Sequence, residues 1–579
     1  MTAGAIALVA VLAQTRDAAP PGTGTGTITG TITSDETPAR PLRRAVVTLN
    51  CPDPYVARTA ITDDAGRFAF AGLPGGRYAL TATRRGWVTM SYGAKAPGRP
   101  GRTIPLAAAE RATASIRLPR GAVITGSVLD QSGLPVTGVG IRVMRYTYAG
   151  SAGERRLTVV GGPSTTIDDR GQYRIFGLPP GEIYVSVVNT GGSFAPSATA
   201  DMHLTTDVDV QEAIKAVESG PSAPITDVPQ RSVGLAPIFF PGATSPAQAT
   251  PIALRAGEER SGIDFTIQYV PTARVAGTVT MPGAEATPSG TLVNLVVNDP
   301  AMPITGPEGF RSTRTGPDGK FEFAQVLPGP YLLVARASIP QPGSTTPQVM
   351  STSMDLDVQS EDQRGLSVML QDGITLSGAV RWEGEGTAPR LAGLRPNLQS
   401  GTPGAGIAVT GGAATVASDG TFTFAGVGPG RYRLTLGSPA QQTPWAVRAA
   451  TIGGQDALDT PVDIRGSLSD LTIVLTDRVS ELSGKADAAI SDSTIVLFSA
   501  NRDHWYGQSR RIMTVRPGRD GAFTFRRVPA GDYALAAVDD AEPGEWYDPS
   551  FLQRLLPSAI KLTIAEGEKK VQDLKAGGG

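Results

Sequence analysis

The residue types that carry most protein chemistry are scarce in this chain of 579 residues, which holds two histidines and one cysteine. One cysteine supports neither a disulfide scaffold nor a thiolate metal cluster. His203 opens His-Leu-Thr-Thr and reads as a solvated loop residue; His504 opens His-Trp-Tyr-Gly and reads as a strand or loop residue beside Trp505. No Gly-x-Ser-x-Gly elbow is present, and two histidines leave little room for a general base. The glycine-rich stretches Gly22 to Gly30 and Gly401 to Gly412 do not sit between the strand and helix of a βαβ unit, so they read as linker or hairpin turn rather than phosphate cradle. Cys51 follows the strand Ala45 to Asn50 and reads as a buried small hydrophobe. Asp63-Asp64 and Asp168-Asp169 offer too few carboxylates for calcium, which takes about six to eight oxygens, and turn chemistry explains them. No catalytic residue, metal ligand set or cofactor is expected.

Aromatic residues in turn-rich segments are the best binding candidates: Trp87 and Tyr92, Phe239 and Phe240, Trp505 and Tyr506, Trp546 and Tyr547. A sugar ring stacks its C–H face on such flat groups, while neighbouring Arg, Asp and Gln supply directional hydrogen bonds. The same residues could plug the open ends of a β-fold under long loops. With aromatics at only 6% of the chain, packing is the simpler reading.

These residues are positioned by a chain of unusual composition. Gly 70 and Pro 47 make up about a fifth of it, and 52 Lys+Arg against 53 Asp+Glu leave a net charge of −1. Near-neutrality argues against a nucleic-acid partner, which needs a basic footprint. The glycine and proline excess is periodic. An acidic turn, a glycine, an alternating strand, a Pro/Gly turn and a strand holding tyrosine recur five times, with turn glycines Gly66, Gly171, Gly319, Gly420 and Gly521 spaced 105, 148, 101 and 101 apart. A strand-centre glycine precedes each, at Gly30, Gly126, Gly277, Gly378 and Gly484, and keeps step at 36, 45, 42, 42 and 37 residues. A final strand closes each copy: ATASIRL from Ala112, IDFTIQY from Ile263, LSVMLQD from Leu366, LTIVLTD from Leu471 and VQDLKA from Val571.

One copy is physically legible. In Arg67-Phe68-Ala69-Phe70 and Thr421-Phe422-Thr423-Phe424 the rings alternate and share one strand face. The Asp-Gly before them supplies the positive φ of a tight turn, and the proline after them ends the ladder. Tyr78, Tyr184, Tyr331, Tyr432 and Tyr533 fall on the next strand, where a ring can enter the core while its hydroxyl finds backbone. Short strands repeating near 100 residues predict an all-β chain of five tandem, seven-strand-type Greek-key β-sandwiches.

The pattern resembles the carboxypeptidase regulatory-like domain, a prealbumin-like sandwich similar to the B-type repeats of collagen adhesins and to starch-binding-like sandwiches. The stretches Trp87 to Leu106, Ile238 to Ile267 and Glu545 to Lys570 look like those of large secreted bacterial proteins built from such modules. The family's catalytic partner would need His-x-x-Glu plus a distant His, and neither histidine here carries the glutamate. The resemblance therefore implies the accessory module without its enzyme. Isopeptide cross-links, as in the similar adhesin repeats, need a first-strand Lys, and only Lys485 lies beside a strand glycine.

The expected division is a signal-like segment and linker at 1–23, then sandwiches at 24–120, 121–270, 271–372, 373–477 and 478–579. Copy two carries an insertion at about 189–231, where Val210, Ala213, Ile214 and Val217 follow helical spacing, Asp209 and Glu212 resemble a capping box and Gly220 a stop; a short helix packed on the sandwich is expected. In copy five, Asp548-Pro549 before Phe551, Leu552, Leu555 and Leu556 spells a second helix. The apolar run Ala5 to Ala13, far short of the roughly 20 residues that span a bilayer, reads as a secretory signal, with no transmembrane span elsewhere. The expected function is a non-catalytic secreted, periplasmic or cell-surface scaffold or adhesive protein. The alternatives are carbohydrate binding through the eight aromatics, with a polysaccharide partner, and an accessory role beside a separately encoded peptidase or transporter, with another envelope protein as partner. The oligomeric state is left open.

Overall fold

A computed structural model describes residues 24–575 apart from 53, 137–138, 149–154, 161–164, 190–206, 220–231, 283–289, 300–308, 340–347, 401–413, 438–442, 488–489, 491–492 and 519. The signal-like segment, His203, Gly220 and the stretch Gly401 to Gly412 lie outside the described residues. The chain divides into two compact units, residues 1–120 and 121–579.

Alternation sets the first module. Strand Gly26–Ser34 buries every second residue, and it lies between Arg67–Leu73, antiparallel to it, and Arg111–Leu118, parallel to it. The facing sheet runs Tyr55–Ile61, Val46–Pro52, Gly76–Thr83 and then Met90–Ser91, with Thr103–Leu106 also on Gly76–Thr83. Ile28, Ile32, Leu49, Phe68, Phe70, Tyr78, Leu80 and Ile116 fill the space between them. Four more sheet pairs follow in the second unit, each around its own apolar core, and in each the strand with the central glycine again pairs in parallel with the closing strand.

The two glycine marks have different physical causes. The turn glycines all hold φ between 72° and 86°, where a side chain would be strained. The strand-centre glycines are needed for closeness instead. A Cβ on Gly30 would stand 1.8 Å from the Ala114 carbonyl oxygen, and on Gly126, Gly277, Gly378 and Gly484 it would stand 2.0, 2.4, 2.1 and 1.9 Å from the matching carbonyl of the parallel strand. A third backbone mark was hidden: Gly72, Gly177, Gln325, Gly426 and Arg527 occupy one equivalent position, and all have positive φ.

The tyrosine hydroxyls of four copies close their own turns. Tyr78 donates to the Pro74 carbonyl at 2.7 Å, Tyr331 to Leu327 at 3.0 Å, Tyr432 to Gly428 at 3.0 Å and Tyr533 to Pro529 at 2.7 Å. Copy two departs from the expected match. Tyr184 sits one residue later than its counterparts, so it faces outward and packs edge-on against Tyr146, with centroids 5.2 Å apart. Ile183 takes the buried place, and Tyr173 bonds the closing strand at the Ile263 carbonyl instead.

Both helices form. Helix α1 spans Asp207–Ser219, starting two residues before the expected Asp209 cap. It is not packed as expected: Val208, Val210, Ile214 and Val217 are 60%, 46%, 47% and 82% exposed. Periodicity marks a face but does not supply a surface to cover it. Helix α2 spans Pro549–Leu555, with Asp548 as its N-cap, proline in its first turn, and Phe551 and Leu552 buried.

Candidate functional site

The eight aromatics lie in packing layers, and none is fully exposed. In module one, Trp87 and Tyr92 are half-buried against the core, with the Arg84 guanidinium 6.0 Å from the Trp87 ring centroid. In module two, Phe240 packs edge-on against Phe265 at 6.2 Å, whereas Phe239 is 2% exposed on the outer side of the sheet with Met144 and Leu157. Module five carries a second, outer core of Val496, Phe498, Trp505, Ile512, Phe551 and Leu552. Trp505 is buried there and donates Nε1–H to the Ser499 carbonyl at 2.7 Å, while Trp546 and Tyr547 lean on the layer with rings 6.3 Å apart. The structure thus groups Trp505, Trp546 and Tyr547 in one layer of module five.

Tyr506 goes elsewhere and leads to a buried charge cluster between modules four and five. The Arg433 guanidinium of module four lies 4.1 Å above the Tyr506 ring of module five, a cation–π contact. Beside it Asp459, only 4% exposed, accepts Nε and Nη2 of Arg510 at 2.7 and 2.8 Å and Nε of Arg511 at 2.7 Å. Both arginines belong to module five and Asp459 to module four. Arg510 also donates to the Val447 carbonyl at 3.2 Å, and Arg511 to the Ala530 carbonyl at 2.9 Å. At the rim, Arg527 bonds the Thr443 carbonyl at 3.0 Å and Arg448 pairs with Glu566 at 3.2 Å. Burial opposes the charge on Asp459, but the hydrogen bonds and charges of Arg510 and Arg511 outweigh it and hold its carboxyl below the usual range. Burial and Arg511 push His504 down, and its Nδ1 lies 2.9 Å from the Ser499 hydroxyl.

Sequence reading found Tyr506 but missed Asp459, Arg433, Arg510 and Arg511. The Arg510-Arg511 pair gave no distinctive signal, because Arg43-Arg44, Arg84-Arg85, Arg155-Arg156 and Arg526-Arg527 repeat it elsewhere. The acidic turns meanwhile serve as turns. Asp63 Oδ1 accepts the backbone N–H of Ala65 and Arg67, and Asp168 Oδ1 accepts those of Arg170 and Gln172. Among the described residues no group of three or more His, Cys, Asp and Glu could hold a metal ion, and no helix is long and apolar enough to cross a membrane.

Fold and motifs together define an all-β chain of tandem two-sheet sandwiches. Residues 27–119 match the family model of the carboxypeptidase regulatory-like domain. No curated protein matches the chain. Similar solved structures include a streptococcal ancillary pilin, 14% identical over 60% of this chain and 98% of that one, with a TM-score of 0.22. A minor pilin of Streptococcus agalactiae is 12% identical over 43% and 98%, with a TM-score of 0.21. The major pilin subunit of Bacillus cereus is 11% identical over 60% and 99%, with a TM-score of 0.17.

Proposed function

We propose that the chain is a non-catalytic scaffold of five carboxypeptidase regulatory-like sandwiches, divided at 24–120, 121–270, 271–372, 373–477 and 478–579, and that it acts outside the cell as a structural or adhesive element. The observation that carries this reading is the Asp459 joint. A carboxylate this buried, held by a two-pronged fork from Arg510 and a third N–H from Arg511 of the next module, fixes the relative orientation of the two modules. Stiffness is what a spacer needs, and a loose string of binding modules would not require it. Secretion rests on the apolar run Ala5 to Ala13.

Calorimetry of the full chain tests the reading. Modules four and five should melt in one transition, and Asp459→Ala should split it into two. Two independent transitions in the unaltered protein would remove the basis of a stiff scaffold.

Glycan binding is the second reading, favoured by the half-exposed pair Trp546 and Tyr547 beside Arg554 and Glu545. Retention on insoluble polysaccharides, lost in Trp546→Ala, would support it over the scaffold alone.

A further inference from the structure

Two modules differ from the others in the same way. Among the described residues, only modules two and five carry a second apolar cluster outside the main core. In module two it lies on the outer side of strand Val139–Tyr148, where Met144 and Tyr146 lead along one face to Tyr148, and it includes Leu157 and Phe239. In module five it lies under α2, beside Trp546 and Tyr547. These two modules also touch each other. The Tyr148 hydroxyl donates to Oδ2 of Asp548 at 2.8 Å, while Oδ1 of the same carboxylate caps α2 at the Ser550 N–H, also at 2.8 Å.

We propose that Tyr148, at the edge of module two's outer layer, and the Asp548 cap of α2, over module five's outer layer, form an internal docking contact that ties modules two to five into one body. Charge fits the match. Arg155 of module two stands 5.7 Å from the Tyr148 ring centroid, and module five brings Asp548 and Glu545 to the same place. Burial, the bond to Asp548 and the nearby acids push the Tyr148 phenol up to about 12, so it keeps its donor proton across the ordinary pH range. The interface also gives the departures of these two copies a shared purpose. Modules three and four, which lie between them in the chain, have no second layer among the described residues. This inference goes beyond the scaffold reading and stands apart from it, because the Asp459 joint holds whether or not module two docks on module five.

The test uses the full chain with Cys51→Ala and a cysteine pair at the rim of the contact that spares the Tyr148 hydroxyl and the Asp548 carboxylate: Arg155→Cys with Ser550→Cys. A short bis-maleimide at low protein concentration should join the two within one chain, read as a single cross-linked peptide by mass spectrometry. A control pair, Arg155→Cys with Lys569→Cys on the closing strand of module five, should give little product. Adding Tyr148→Phe to the first pair should cut its yield severalfold without moving the melting transitions. Absence of the 155–550 product, equal yield from the control pair, or product only between chains would overturn the proposal. Each of these results leaves the melting test of the Asp459 joint unaffected, so the two ideas fail separately.

Discussion

At the scale of single residues, glycine does two jobs that composition alone cannot distinguish. Gly378 is extended, and its lack of a side chain lets the Leu471 carbonyl oxygen come within 2.1 Å of where Cβ would be. Gly378→Ala should therefore push the first and closing strands of module four apart and cost about 3 kcal/mol, read from the denaturant midpoint of the transition that modules four and five share. An unchanged midpoint would refute the close-approach argument. The equivalent position after the paired aromatics needs a backbone shape instead, and Gln325 occupies it at φ 54°. A non-glycine residue there is held in the left-handed region against its preference. Gln325→Gly should stabilise module three by about 1 kcal/mol, and a loss of stability would show that the Gln325 side chain contributes more than its backbone strain costs.

At the scale of elements, much of the fold was legible because local rules and tertiary packing agree. The Phe68/Phe70, Phe422/Phe424 and Phe523/Phe525 pairs alternate in sequence and do share a buried face, with centroids 5.9, 5.6 and 6.0 Å apart. Asp548-Pro549 spelled the start of α2, and its apolar residues found a core. Helix α1 shows where such reading stops. Its spacing was correct, but spacing says nothing of the partner, and Val210, Ile214 and Val217 face solvent. Tyr184 marks a second limit: a shift of one residue inverts the face of a strand side chain, and a motif aligned by eye on tyrosine rather than on Gly181 misses it. Ile214→Glu supplies a direct check on α1. Because the side chain is 47% exposed, the substitution should change stability by less than about 0.5 kcal/mol. A drop of several times that in the melting of module two would restore the packed helix expected from sequence.

At the scale of the whole second unit, the joints rather than the modules were illegible. Asp459 and Arg510 are 51 residues apart in different copies, and a repeat search aligns what copies share while the joints use what they do not. The joint between modules three and four is built differently, from backbone and apolar contact: the Gly373 N–H donates to the Val349 carbonyl at 3.2 Å, and Gly426 packs on the Val349 side chain. The Asp459 joint, unlike this one, can titrate. Its carboxyl has a lowered folded value, so the stability it contributes is complete above the ordinary aspartate range, near 3.9, and is lost as pH falls through the folded value. His504 acts in the same direction at a higher pH. Its folded value is also lowered, so its contribution is complete above about 6.5 and drains away as the imidazole is forced to accept a proton beside Arg511. Acidification should therefore lower the shared transition of modules four and five below about pH 6.5 and divide it in two below about pH 4, both steps followed by calorimetry. His504→Gln should remove the first step and leave the second. Asp459→Asn should leave the modules uncoupled at every pH, since a neutral amide cannot satisfy two guanidinium groups. A shared transition that stays whole in Asp459→Asn at neutral pH would mean that apolar contact, not the buried charge pair, holds the joint.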